Sequence, residues 1–176
     1  MTFQTHFTKE QIVDSAIRLM YSKSNRDISL KELSEVTGIV APVFYNYFKG
    51  IDEINDMAYK KIENGILEAI NVKLPASMPS YEKALTIVYN LVKYVEQTGI
   101  STIILLEKEN RKINTAPLKD KLTDLFTGIK NLKHDPYFSV GMLLHMVSAN
   151  IEYSRTSGKT LPDDFVEKVF KTYILS

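Results

Sequence analysis

The stretch Ile28-Ser29-Leu30-Lys31-Glu32-Leu33-Ser34-Glu35-Val36-Thr37-Gly38-Ile39-Val40-Ala41-Pro42-Val43-Phe44-Tyr45-Asn46-Tyr47-Phe48-Lys49-Gly50 decides how this chain folds. Ser29-Leu30-Lys31-Glu32 has the form of a capping box, in which serine and glutamate side chains satisfy orphan amides at a helix start. Ile28 and Leu33 occupy the apolar staple positions around it. The helix is short, because Gly38 stands where a helix ends. Pro42 then marks the first turn of a second short helix, where its missing N–H is harmless. Phe44 and Phe48 are four residues apart and face one way, toward a core, and Gly50 closes the segment.

Upstream, Thr8-Lys9-Glu10-Gln11 is another capping box, stapled by Phe7 and Ile12. Ile12, Ala16 and Leu19, with Val13, Ile17 and Met20 beside them, give that helix a wide buried stripe. Downstream, a long helix is expected from about Asp52 to Asn71, burying Ile54, Met57, Ala58, Ile62, Ile66 and Ile70. Leu74 to Ser80, with Pro75 and Pro79, reads as a linker. Helices are then expected over 80–98, 101–113, 116–132, 136–157 (Asp135 as N-cap, Gly158 after its end) and from near Pro162 to about Leu175. The expectation is an all-α chain of about nine helices, since no segment alternates in the manner of a strand.

Composition limits the function classes. The 176 residues contain no cysteine, which excludes disulfides, thiolate metal sites and a cysteine nucleophile. No apolar run approaches the roughly 18 residues of a membrane span, and Met1 to Phe7 lacks the pattern of a signal peptide. A cytoplasmic location is therefore expected. His6, His134 and His145 show no metal-ligand spacing. There is no glycine-rich phosphate loop or serine elbow. Neither an enzyme nor a metal or other cofactor is expected. The net charge is only +1, and residues 1–50 hold six basic and five acidic side chains. A strongly basic nucleic-acid footprint is missing.

Two short helices joined by a tight glycine turn and packed on a first helix make a helix-turn-helix. Its second helix can lie in a DNA major groove about 12 Å wide. The residues Ile12…Ala16…Leu19, Ser29-Leu30-Lys31-Glu32-Leu33, Gly38-Ile39, Phe44-Tyr45-Asn46-Tyr47-Phe48-Lys49-Gly50 and Asp52-Glu53-Ile54 resemble the tetracycline-repressor (TetR) family of transcriptional regulators. They cover about a third of the chain. The resemblance implies an N-terminal three-helix, homeodomain-like DNA-binding domain over 1–50 and an effector-binding and dimerisation domain over 51–176, with helix 52–71 connecting them. Carried over residue by residue, it implies base or sugar contacts from Ala41, Pro42, Val43, Tyr45 and Asn46, and phosphate contacts from Lys31, Tyr45, Tyr47 and Lys49. The chemistry is consistent, since asparagine pairs bidentately with adenine and small apolar side chains touch thymine methyls. The family usually has a hydroxyl residue where Val40 stands and a basic one where Ile51 stands.

In the C-terminal half, Tyr89, Tyr94, Phe126, Met142, His145 and Tyr153 are candidate ligand-pocket residues, mixing apolar surface with a few polar groups. The last two helices carry more apolar surface than one small core requires. Met146, Val147, Phe165, Val169 and Phe170 are the candidate homodimer contacts, in the four-helix bundle that the resemblance implies. The functional expectation is a ligand-responsive regulator, a repressor released from a palindromic operator by a small molecule. The alternative is a helical small-molecule-binding or interaction protein of the same fold that has lost strong DNA binding.

Overall fold

The structure, a computed structural model, describes residues 7–22, 27–99 and 113–176. Among these the secondary structure is helical, apart from one isolated bridge between Leu132 and Leu175. The helices are α1 (Lys9–Ser22), α2 (Leu30–Thr37), α3 (Ala41–Phe44), α4 (Ile51–Ile70), α5 (Ser80–Thr98), α6 (Ala116–Thr127), α7 (Pro136–Ser157) and α8 (Phe165–Val169). The last continues into a π-helical turn, Phe170–Ile174. The helix expected over 101–113 falls on residues outside those described, except Ile113, which is buried and not helical. The chain divides into two compact units, Met1–Ile62 and Glu63–Ser176, so the boundary falls inside α4.

The first unit forms around the stripe of α1. Ile12, Val13, Ala16, Ile17, Leu19 and Met20 are buried, as are Leu33 of α2, Phe44 and Phe48, and Ile54, Ala58 and Ile62 of α4. Both capping boxes form: the Thr8 hydroxyl accepts from the Gln11 amide at 3.1 Å, and the Gln11 side chain accepts from the Thr8 amide at 2.9 Å. The Ser29–Glu32 box closes in the same reciprocal way. Met57 was expected inside and is 37% exposed. The buried positions of α4 recur every four residues from Ile54 to Ile70, and Met57 lies off that row.

In the second unit the core is aliphatic with an aromatic centre. Phe126 and Phe170 are fully buried with ring centroids 5.2 Å apart, and Tyr81 meets Phe170 edge-on at 5.3 Å. Edge-to-face and tilted pairs of this kind suit the aromatic quadrupole. Leu118 and Leu122 of α6 and Leu143, Leu144, Val147 and Ile151 of α7 fill the space around them. Helix α7 starts and stops where its sequence punctuates it. The Asp135 carboxylate accepts from the Phe138 amide at 3.0 Å, and Gly158 takes the left-handed conformation at φ 68°.

Two helix boundaries differ from expectation for tertiary reasons. Helix α6 ends at Thr127 instead of residue 132. At Gly128 any Cβ would overlap the Ser80 hydroxyl, and the residues beyond are held by the C-terminal segment. The Lys133 amide donates to the Ile174 carbonyl at 2.9 Å and the Ser176 amide to the Asn131 carbonyl at 2.8 Å. The last helix starts at Phe165, after a turn in which the Phe165 amide bonds the Pro162 carbonyl at 3.0 Å. It widens to a π turn that buries both Phe170 and Ile174. On α7, Phe138 is 51% exposed.

Candidate nucleic-acid interface

The geometry of the site begins with the turn between α2 and α3. Gly38 sits at φ 71°, and its amide bonds the Ser34 carbonyl at 2.8 Å. Glycine is the residue that enters this region without a steric penalty. Both backbone groups of the next residue are then satisfied by side chains of α2. The Ser34 hydroxyl donates to the Ile39 carbonyl at 2.5 Å, and the Ile39 amide donates to Thr37 Oγ1 at 3.2 Å. The Thr37 hydroxyl itself donates to the Leu33 carbonyl at 2.7 Å. Ile39 is buried, so unpaired groups there would be costly. The turn is therefore fixed by chemistry on both sides of its glycine.

Helix α3 is a single turn. Val40 is its N-cap and makes no side-chain cap bond, and Pro42 lies in the first turn. Beyond Phe44 the chain tightens. The Asn46 amide bonds the Val43 carbonyl at 3.2 Å and the Tyr47 amide bonds the Phe44 carbonyl at 2.9 Å, both three residues back. Such tightening is usual at helix ends. Phe44 and Phe48 anchor the segment in the core. Ala41, Pro42, Tyr45, Asn46 and Lys49 are exposed, and Val43 and Tyr47 are half-buried. Lys31 is exposed on α2 with its ammonium 4.0 Å from the Glu35 carboxylate. The eight residues proposed from sequence for DNA contact thus lie on or beside the helix-turn-helix with accessible surface.

A polar frame that the sequence did not reveal supports this unit. Asn55 is 2% exposed and pairs bidentately with the backbone of Ile28: its Oδ1 accepts from the amide at 3.2 Å, and its Nδ2 donates to the carbonyl at 3.1 Å. Glu53 accepts from the Lys49 amide at 2.7 Å and from the Lys9 ammonium at 3.0 Å. Lys9 also lies 4.9 Å from the centre of the Phe48 ring. The Lys49 amide bond, and then the Lys9 bond, hold the Glu53 carboxyl below its ordinary range, so it is ionised at neutral pH. Lys61 bridges Asp14 at 2.7 Å and Glu10 at 3.1 Å, with Asp14 the larger cause of its raised pKa. Several of the unit's charges are thus used internally.

In the second unit the six candidate ligand residues are scattered. Phe126 is fully buried. His145 and Tyr153 are exposed, with His145 Nδ1 2.8 Å from the Gly141 carbonyl and Tyr153 Oη 3.2 Å from the Lys159 ammonium. Met142 and Tyr94 are half-buried; a Cβ at Gly65 of α4 would overlap the Tyr94 ring, so glycine is what allows that approach. Tyr89 lines an open groove of about 250 Å³ with Lys93, Glu96, Pro162 and Asp163. Of the five candidate dimer contacts, Val147, Phe165, Val169 and Phe170 are buried within the chain itself, and Met146 is half-buried. Among the described residues no group of acidic or histidine side chains could hold a metal, and no helix is long and apolar enough to cross a membrane.

No protein-family model matches the chain, and no curated protein matches it. Among solved structures it is similar to one from Vibrio parahaemolyticus described as a transcriptional regulator of the TetR family. The TM-score is 0.60 at 16% identity, over 95% of this chain and 98% of that one. The shared feature is the fold, an N-terminal helix-turn-helix followed by a helical domain.

Proposed function

We propose that this chain is a DNA-binding transcriptional regulator whose helix-turn-helix, α2 to α3, reads a duplex. The observation that carries the reading is the exposed Tyr45–Asn46 pair on a segment anchored by buried Phe44 and Phe48. Asn46 offers an amide that pairs with adenine, and the tyrosine hydroxyls reach phosphates without adding charge. The likeness of fold to a TetR-family regulator supports it. On this reading residues 1–50 contact DNA and 51–176 bind an effector and a second copy of the chain.

Homodimerisation is favoured by α7. It carries no charged residue from Pro136 to Ile151, and Phe138, His145 and Tyr153 on it are exposed. An outer face that exposes the aromatic rings of Tyr137, Phe138 and Tyr153 suits a partner surface. The mate would meet this outer face and Met146, with Val147, Phe165, Val169 and Phe170 as the core behind it. A twofold protein matches a palindromic operator. The small-molecule effector would favour a dimer whose reading helices are wrongly spaced, releasing the operator and ending repression. The groove beside Tyr89 is the candidate entry point for such a ligand.

A second reading, a helical binding protein that no longer reads DNA, is favoured by Asp52 and Glu53. They place two carboxylates in the first turn of α4, beside apolar Ile51. Recovery of fragments from sheared genomic DNA, at about physiological salt and with and without cell extract, separates the two. A sharp set sharing an inverted repeat supports the regulator. Uniform or negligible recovery under both conditions supports the second reading.

A further inference from the structure

Among the described residues of the first unit the exposed large apolar side chains are Val36, Val40, Tyr45 and Met57, and three of these fall within ten residues. Val36 is 62% exposed at the end of α2 and Val40 is 60% exposed at the start of α3, on either side of the Gly38 turn. Between Glu35 and Lys49 the sequence carries no charge at all. Isolated surface valines need no explanation, but a concentrated apolar surface marks a binding site. The turn that carries the two valines is held by Ser34 and Thr37, so their placement does not depend on a partner.

We propose that Val36 and Val40 read the C5-methyl groups of thymines in the major groove, making this a methyl-reading helix-turn-helix. The inference rests on the DNA-binding reading above and adds its specificity. Guanine is read by arginine or lysine and cytosine by a carboxylate; residues 36–48 supply none of these. What they supply is an amide for adenine, at Asn46, and bare methyl-bearing side chains. Thymine is the base that offers a methyl group to such a surface. Val40 stands at an N-cap yet makes no cap bond, and its exposed isopropyl group does nothing for the helix it begins. Contact with a thymine methyl gives that group a role.

The test uses the duplex most enriched from sheared genomic DNA, synthesised once with thymine and once with deoxyuridine in its place. Base pairing is kept and only the methyl groups are lost. Each buried methyl is worth roughly fourfold in an equilibrium constant, so the wild-type chain is expected to bind the uracil duplex about tenfold or more weakly. V36A/V40A is expected to bind the thymine duplex more weakly than wild type and to tell the two duplexes apart far less. This cycle isolates the valine–methyl coupling from effects of uracil on duplex shape. Equal wild-type affinity for both duplexes overturns the proposal while leaving DNA binding intact. A full thymine preference in V36A/V40A also overturns it and moves methyl reading to Ala41 or Val43. If no duplex is enriched or bound by the wild type, the DNA reading itself fails and takes this proposal with it.

Discussion

The two units are held together differently. In the first, side chains fix the backbone around the reading segment: Asn55 holds Ile28 from 27 residues away, and Ser34 and Thr37 hold Ile39 and Glu53 holds Lys49 locally. In the second, an aromatic cluster of Phe126, Phe170 and Tyr81 forms the centre, and long-range side-chain bonds to backbone tie segments around it, Arg155 to the Val95 carbonyl at 2.9 Å and Lys133 to the Thr172 carbonyl at 2.7 Å. Among the described residues, its buried Tyr81 and Ser148 hydroxyls have no hydrogen-bond partner. A small unit buries proportionally less surface, and one that presents a short reading segment needs that segment fixed. Directional bonds fix geometry in a way that apolar contact does not. The larger unit has core enough to tolerate unpaired hydroxyls.

This contrast can be broken by mutation. The largest effect is expected for Phe170→Ala, which removes the centre of the aromatic cluster and should lower the stability of the second unit by about 3–5 kcal/mol. Hydrogen exchange of that unit's amides checks it; a loss below about 1 kcal/mol would show that the cluster is not the centre of that core. Asn55→Leu should cost about 2–4 kcal/mol in the first unit, because the Ile28 amide and carbonyl are left buried and unpaired. A neutral Asn55→Leu would refute the polar frame.

One substitution made in both units should have opposite signs. Ser34→Ala should destabilise by about 1 kcal/mol by freeing the Ile39 carbonyl, whereas Ser148→Ala should be neutral or stabilising by up to about 1 kcal/mol. Denaturant titration reads both, and equal signs would erase the contrast. The smallest effect belongs to Glu53, whose side chain is 32% exposed. Its folded pKa lies below the ordinary value of 4.5, so its contribution is complete above that value and lost as pH falls below it. Glu53→Gln should therefore flatten the acid side of the stability profile by slightly lowering stability at neutral pH, with the variant and wild type converging once pH is well below that value.

Much of the helical order was legible because the sequence punctuates it. Thr8 and Gln11, Ser29 and Glu32, Gly38, Asp135 and Gly158 act at the ends where they were read. These signals are local, and the structure that answers them is local too. The boundaries that moved depend on distant partners. Gly128 ends α6 beside Ser80, and the final π turn is tied to the loop at Asn131 to Lys133. Asn55 was illegible for the same reason. Its partner is 27 residues away, and an asparagine beside an apolar row reads as solvated. At the candidate interface Phe44 and Phe48 were legible as core and Tyr45 and Asn46 as surface, because four-residue spacing separates the faces. The candidate dimer residues on α7 and α8 were apolar as read, but periodicity alone does not tell a residue facing its own core from one facing a mate.

The central claim is that the segment after α2 reads DNA, and its most direct test is the affinity of Tyr45→Ala/Asn46→Ala for duplex recovered by the wild-type chain. Both side chains are exposed, so the variant should keep the wild-type circular dichroism and melting behaviour. The account predicts a loss of binding of a hundredfold or more with the fold intact. A folded variant that binds the same duplex as tightly as the wild type would contradict it.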